Sequence, residues 1–280
     1  MPRESPDVWR RRLGNELRKL REGAGLTIHD VATGLECSSS KISRIETAKV
    51  GATPRDVRDM LELYRVSSDQ RDELVQLARE ARQKDPLLAF RDLPFVALVG
   101  LEQAAASLRM YSVLNIPGHL QTREYAQAVI RAIWPKLPDK EVDRRVELRM
   151  KRHEFLTQDS PGSFWVVLDE AVLHRPIGGT EVMRRQIQRL IELARLDNVV
   201  LQVLPFSVGA HAAMDGEFTI ISFRNPADPD TVFIENTTYD LYLEDPDALR
   251  RYNALFDDLR MAALGTPESL EFLVEKERRS

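Results

Sequence analysis

Two sets of residues in this 280-residue chain have types and spacings suited to chemistry. The first is the run Ser38-Ser39-Ser40-Lys41-Ile42-Ser43-Arg44-Ile45. On a helix that turns Ile42 and Ile45 inward, Ser39, Ser40, Ser43 and Arg44 face outward. Short hydroxyls let a helix backbone approach a groove closely and can donate or accept. Arg44 carries forked donors that reach O6 and N7 of a guanine, or grip a phosphate. Lys41 and Lys49 suit phosphate contact, and the free N–H groups at helix starts near Thr27 and Ser38 can hold phosphate too. The chemistry expected is hydrogen bonding to duplex DNA. Base contacts are assigned to Ser39, Ser40 and Arg44, and phosphate contacts to Thr27, Ser38, Lys41, Ser43 and Lys49.

The second set lies far along the chain. Glu170 and His174 are four apart, so on a helix they share a face and offer half a metal site. His211 and Asp215, in a loop flanked by Gly209 and Gly216, could complete it, and Asp169 adjoins it. A plainer reading has Asp169 ending a strand and capping a helix, with Glu170 paired to Arg175 or another arginine. No metal-ligand motif with known mechanics is present, nor a Gly-rich phosphate loop after a strand, nor Gly-x-Ser-x-Gly. The expectation is no catalytic residue, no metal and no cofactor, so not an enzyme. A metal-dependent enzyme in the C-terminal half is the alternative.

The first set needs a scaffold, and residues 27–49 supply its pattern. They read as two short helices joined by a tight turn, the build of a helix-turn-helix that offers its second helix to the major groove. Val31, Ala32, Leu35, Ile42 and Ile45 form the core side. Helical spacing continues on both flanks through residues 8–84, giving five short helices. Thr27 with Asp30, Ser38, and Thr53-Pro54-Arg55-Asp56 are start signals. Gly23 and Gly25 stop the first helix.

Residues 85–95 contain two prolines and break this pattern, so a linker is expected there. A helix follows at about 101–110, then a turn at Ile116-Pro117-Gly118, and helices at 122–133 and 139–156. After Ser160-Pro161-Gly162 the texture changes. Residues 163–169, 199–205, 217–223 and 231–236 are rich in β-branched and aromatic residues and read as strands. Helices at about 180–196, 246–264 and 267–276 lie between or after them. The fold class expected is therefore multidomain: an all-α five-helix head over 1–84, a linker over 85–95, and a mixed α/β (α+β) domain over 96–280.

Composition bounds the partners. The first 49 residues hold ten Lys and Arg against seven acids, while the whole chain is at −4. A mildly basic head on an acidic body suits local phosphate contact and modest non-specific affinity. Cys37 is the only cysteine, which excludes an intrachain disulfide. It is expected as a small, partly buried filler in the helix-helix turn. No apolar run approaches the roughly 18 residues of a membrane span, and the first residues lack an apolar signal core. Cytoplasmic residence, on the nucleoid and away from any membrane, is the expectation.

Residues 13–64 resemble the XRE/Cro–phage-repressor class of helix-turn-helix domains. The resemblance is carried by Leu17, Leu20-Arg21, Gly25-Leu26-Thr27, Val31-Ala32 and Ser40-Lys41-Ile42-Ser43-Arg44-Ile45-Glu46. It implies base contacts at Ser39, Ser40 and Arg44, and a structural ion pair between Arg21 and Glu46 that ties helix one to helix three. Two positions depart from the class. Ile28 stands where glutamine often braces a phosphate. Glu36 stands where glycine is usual in the turn, at a strain of roughly 1 kcal/mol or more if φ is positive.

Residues 95–275 resemble a large actinobacterial family of regulators. Its XRE-type head is followed by a DUF5753, or Scr1-type antitoxin-like, domain. The matching stretches include Ile116-Pro117-Gly118-His119-Leu120-Gln121-Thr122 with Tyr125, Arg149 with Arg152, Val167-Leu168-Asp169-Glu170, Val203-Leu204-Pro205-Phe206 and Thr266-Pro267-Glu268-Ser269. The resemblance implies a transcription regulator that binds a small acidic DUF397-type protein. The function expected is a homodimer on a double-stranded, two-fold related operator, whose C-terminal domain binds that partner or an effector. An antitoxin-like adaptor with autoregulatory DNA binding is the alternative.

Overall fold

Thr27 and Thr53 each begin a helix by the same exchange. The Thr27 hydroxyl accepts from Asp30 N at 3.1 Å while Thr27 N donates to Asp30 Oδ2 at 2.8 Å. Thr53 and Asp56 repeat it at 3.0 and 2.9 Å. Such boxes satisfy amides that have no partner inside the helix. The computed structural model describes residues 6–81, 87–158, 161–223, 228–236 and 239–279. Its first helices are α1 (Pro6–Gly23), α2 (Ile28–Gly34), α3 (Ser39–Glu46), α4 (Pro54–Leu63) and α5 (Ser68–Glu80). They enclose a core built on Leu13, Leu17, Val31, Ile42, Ile45, Val57, Met60 and Leu61.

Helix ends follow one device. After α1, α2 and α4 a residue takes positive φ: Gly25 at 71°, Glu36 at 49° and Arg65 at 58°. The following amide then bonds five residues back, Leu26 N to Arg21 O, Cys37 N to Ala32 O and Val66 N to Leu61 O. Leu26, Cys37 and Val66 each pack on the core. This is the Schellman stop, with its hydrophobic contact. Glu36 thus takes the left-handed conformation expected of the glycine it replaces. Cys37 is partly buried against the core, as a small filler would be.

The chain divides into two compact units, 2–104 and 105–280. The division falls after the expected linker, not in it. Asp85 and Pro86 lie outside the described residues, as does Ser160 of the expected turn. From Leu87 onward the segment buries Leu87 and Leu93. It runs into α6 (Val96–Ala104), an apolar helix packed along α1.

The second unit carries β1 (Ala105–Ser112), α7 (Arg123–Ile133), α8 (Asp139–Lys151), α9 (Glu154–Thr157), β2 (Ser163–Asp169), α10 (Ala171–His174) and α11 (Thr180–Leu193). It continues with β3 (Val199–Leu204), β4 (Phe218–Phe223), β5 (Thr231–Ile234), β6 (Leu241–Leu243), α12 (Pro246–Ala262) and α13 (Thr266–Arg279). The six strands form one sheet in the order β3-β2-β1-β4-β5-β6. β1, β2 and β3 run parallel; β4, β5 and β6 are antiparallel to their neighbours. A mixed α/β domain is what the strand and helix texture predicts. Two strands are not among those expected: the helix read at about 101–110 is instead the end of α6 and strand β1, and the short edge strand β6 follows β5. Strand β1 is a central one, and its pairing on both sides outweighs the helical preference of its alanines.

Strand alternation builds two cores. Tyr111, Val167, Ile220 and Val232 face one side and pack with Phe256 and Leu259 of α12. Phe164 faces the other, against Phe155 and His119. The carboxyl ends of β1, β2 and β3 meet at one edge. There β4 begins and β5 ends, as the pairs Asp169–Leu204, Tyr111–Phe218 and Thr219–Phe233 show. Among the described residues no helix is long and apolar enough to cross a membrane.

Candidate nucleic-acid interface

Ile42 and Ile45 are 1% and 2% exposed, which fixes the roll of α3 on the core. With that roll set, Ser38, Ser39, Ser40, Lys41 and Arg44 are exposed and Ser43 is partly buried. The outward face read from the spacing is therefore the solvent face of α3. Arg44 has no hydrogen-bonded or ionic partner among the described residues, so its fork points to solvent uncommitted. Lys49 is exposed as well.

Three of the expected phosphate contacts have work inside the fold. The Thr27 hydroxyl donates to Asp30 Oδ2 at 2.7 Å, so an internal carboxylate already occupies the start of α2. The Ser38 hydroxyl caps α3 by accepting from Lys41 N at 3.2 Å. Lys41 Nζ donates to Asp56 Oδ1 at 2.7 Å, and this bond raises the lysine's pKa. Lys41 thus joins α3 to the capping box of α4.

Two features hold α3 in place. Arg21 donates to Glu46 twice, Nε to Oε1 at 2.7 Å and Nη2 to Oε2 at 3.0 Å, and Nη1 donates to Leu26 O at 2.8 Å. Both side chains are under a tenth exposed. The bond to Glu46 raises the arginine's pKa against the pull of desolvation. The second feature carries little sequence signal. A Cβ on Gly14 would lie 2.7 Å from Glu46 O and 2.8 Å from Ile45 O. Gly14 therefore lets α1 meet the end of α3 backbone to backbone. A glycine on the inner face of a helix (a costly residue there) is the one clue the sequence offers. Ile28 packs on the core, which removes it from any phosphate role.

The metal-like residues do not converge. His174 Nε2 lies 3.0 Å from Glu170 Oε1 and its Nδ1 lies 3.1 Å from Lys276 Nζ. Glu170 Oε2 accepts from Phe206 N at 2.8 Å, and among the described residues its ionic partner is His174, not the expected arginine. Asp169 ends β2, and its Oδ1 accepts from Ala171 N at 2.8 Å; the N-cap of α10 is Glu170, not the expected Asp169. His211 is apart from that pair but beside Asp169: its Nε2 is 4.0 Å from Asp169 Oδ2 and 3.3 Å from the Tyr111 hydroxyl, which donates to Asp169 Oδ2 at 3.3 Å. Burial first, then the charge of Asp169, pushes the Tyr111 phenol up. Among the described residues no group of three or more His, Cys, Asp or Glu could hold a metal.

Residues 12–74 match the family model described as a helix-turn-helix domain. No curated protein and no solved structure matches the chain. Residues 95–275 match a domain of unknown function, DUF5753, and the chain therefore belongs to the DUF5753 family, with a DNA-binding helix-turn-helix domain at its head.

Proposed function

We propose that this protein is a sequence-specific transcription regulator that reads its operator with α3. The observation that carries the reading is the pairing of a buried side, Ile42 and Ile45, with an exposed one, Ser39, Ser40 and Arg44. Ser39 and Ser40 occupy the first turn, the part of a recognition helix that reaches base edges. Arg44, one turn on, suits a guanine edge. Lys49 and Ser43 are the phosphate contacts this geometry favours; Ser38 and Lys41 would add to them while keeping their roles within the fold. The regulator acts as a homodimer on half-sites about 34–36 Å apart. Its C-terminal domain transmits a signal, from a small DUF397-type protein or an effector, as a coupling free energy of about 1–3 kcal/mol. It is not an enzyme.

Selection of duplexes bound by the full chain from a random pool tests this reading. The expected result is a two-fold related motif, bound with an affinity that falls as salt rises. Recovery of no motif, with binding that ignores salt, contradicts it. An adaptor that mainly binds protein would show the partner in stoichiometric amount and only a weak motif.

A further inference from the structure

Where β1, β2 and β3 end, a cleft of about 70 Å³ opens between the last turn of α8, the segment 116–121 and the starts and ends of β4 and β5. One water needs roughly 10–15 Å³ by the same kind of measure, so several heavy atoms fit. Open α/β sheets bind ligands at the carboxyl ends of their strands.

The wall is set apart by its charges. Arg149 and Arg152, three residues apart at the end of α8, both line it. Basic residues in a last turn are ordinarily solvated partners of the helix dipole. Arg149 is not of that kind: burial first, and then Arg152, bring its pKa down to about 10 against the opposing charge of Glu235. Its guanidinium donates to a neutral acceptor, Gln121 Oε1, at 3.2 Å, and touches no carboxylate among the described residues. Two acids also line the cleft. Glu217 is already taken: its Oε2 accepts from the Ser112 hydroxyl and from the amides of Val113 and Leu114 at 3.2–3.3 Å. Glu235 is pushed up by burial. Gly118 completes the cradle, because a Cβ there would lie 2.6 Å from Arg152 Nη1.

We propose that this cleft binds a small molecule through an oxyanionic group, a carboxylate or a phosphate, held by Arg149 and Arg152, with Glu235 accepting from a hydroxyl or amine elsewhere on it. A planar guanidinium suits two parallel bonds to such a group. Bound there, the anion gives Arg149 a counter-charge in direct contact, where the fold supplies only the non-contacting charge of Glu235. As the effector site of the regulator described above the cleft rests on that reading. As a binding site it does not, and the test contains no DNA.

The test is the thermal midpoint of the full chain in about 10 mM succinate or inorganic phosphate, against chloride at matched ionic strength, since a ligand that binds only the folded state raises the midpoint. A rise of a few degrees is expected with at least one probe, and which probe acts separates carboxylate from phosphate. Arg149→Gln should lose that rise while its unliganded midpoint stays level or increases, because a desolvated charge with no carboxylate in contact is gone. If Arg149→Gln does not fold, Arg152→Gln is read for loss of the rise in the same way. The proposal is overturned if neither probe exceeds chloride on the wild type, or if the variant keeps the full rise.

Discussion

Arg21 and Arg149 are both arginines withdrawn from water, one in each unit, and they are treated in opposite ways. Arg21 finds a buried carboxylate at 2.7 and 3.0 Å and a carbonyl at 2.8 Å. Arg149 finds the amide oxygen of Gln121 and a second arginine, with the charge of Glu235 acting on it without contact. Withdrawing a charge is costly unless it is paired. In the head the cost is met within the fold, and the result is a rigid mount for α3. In the C-terminal unit it is met only in part, by Glu235 without contact, beside a cleft. The difference teaches where to look for ligands. A charge the fold has closed is structural, and one it has left open waits for something from outside.

The largest expected effect is on the closed pair. Glu46→Ala leaves Arg21 with only the exposed Glu22, at 3.3 Å, as a carboxylate partner and should destabilise the head by about 3 kcal/mol. Denaturant unfolding of the full chain followed by circular dichroism measures it. A change below about 1 kcal/mol would break the contrast with Arg149. Next is acid sensitivity in the C-terminal unit. Burial first, then Arg189 and His119, hold the His153 pKa at about 4. The folded form therefore binds fewer protons than the unfolded one between about pH 6.5 and 4. Stability from this group is full above pH 6.5 and is lost as pH falls towards 4, by about 2–3 kcal/mol. A His153→Gln variant should flatten that slope in a pH series of unfolding midpoints; an unchanged slope rules out His153 as its source.

Smaller effects sharpen the picture of the mount. Gly14→Ala drives a methyl against two carbonyl oxygens of α3 and should cost about 1–3 kcal/mol. It should also weaken DNA binding, since it moves the reading helix; full affinity with normal stability would show that the contact is slack. Glu36→Gly relieves a left-handed residue and should gain about 1 kcal/mol. A loss instead would mean that the glutamate side chain contributes more than its backbone strain removes.

The head was readable from sequence because its signals are local. Caps at Thr27, Ser38 and Thr53, and the period of Ile42 and Ile45, depend on residues within a turn of each other. The same holds for β2 to β5, whose ends agree with the expected runs to within one or two residues. Strand β1 escaped because it follows α6 without a break and carries alanines that favour a helix. Only pairing with β2 and β4, some 55 and 110 residues away, makes it a strand. The left-handed positions Ala48 and Arg65 escaped for want of a glycine to mark them. The cleft escaped because it gathers residues from 110 to 235, which no spacing relates. The resemblance did single out Arg149 and Arg152, without saying what they do.

The central claim is that the exposed face of α3 reads bases, and Arg44 is its sharpest point. The direct measurement is the affinity of wild type and Arg44→Ala for the selected operator and for an unrelated duplex, at a series of salt concentrations from about 50 to 200 mM. The account predicts a loss of about 1–3 kcal/mol on the operator, with a much smaller loss on the unrelated duplex and specificity relaxed at one base position. An unchanged operator affinity across that salt range, or an equal loss on both duplexes, would contradict it.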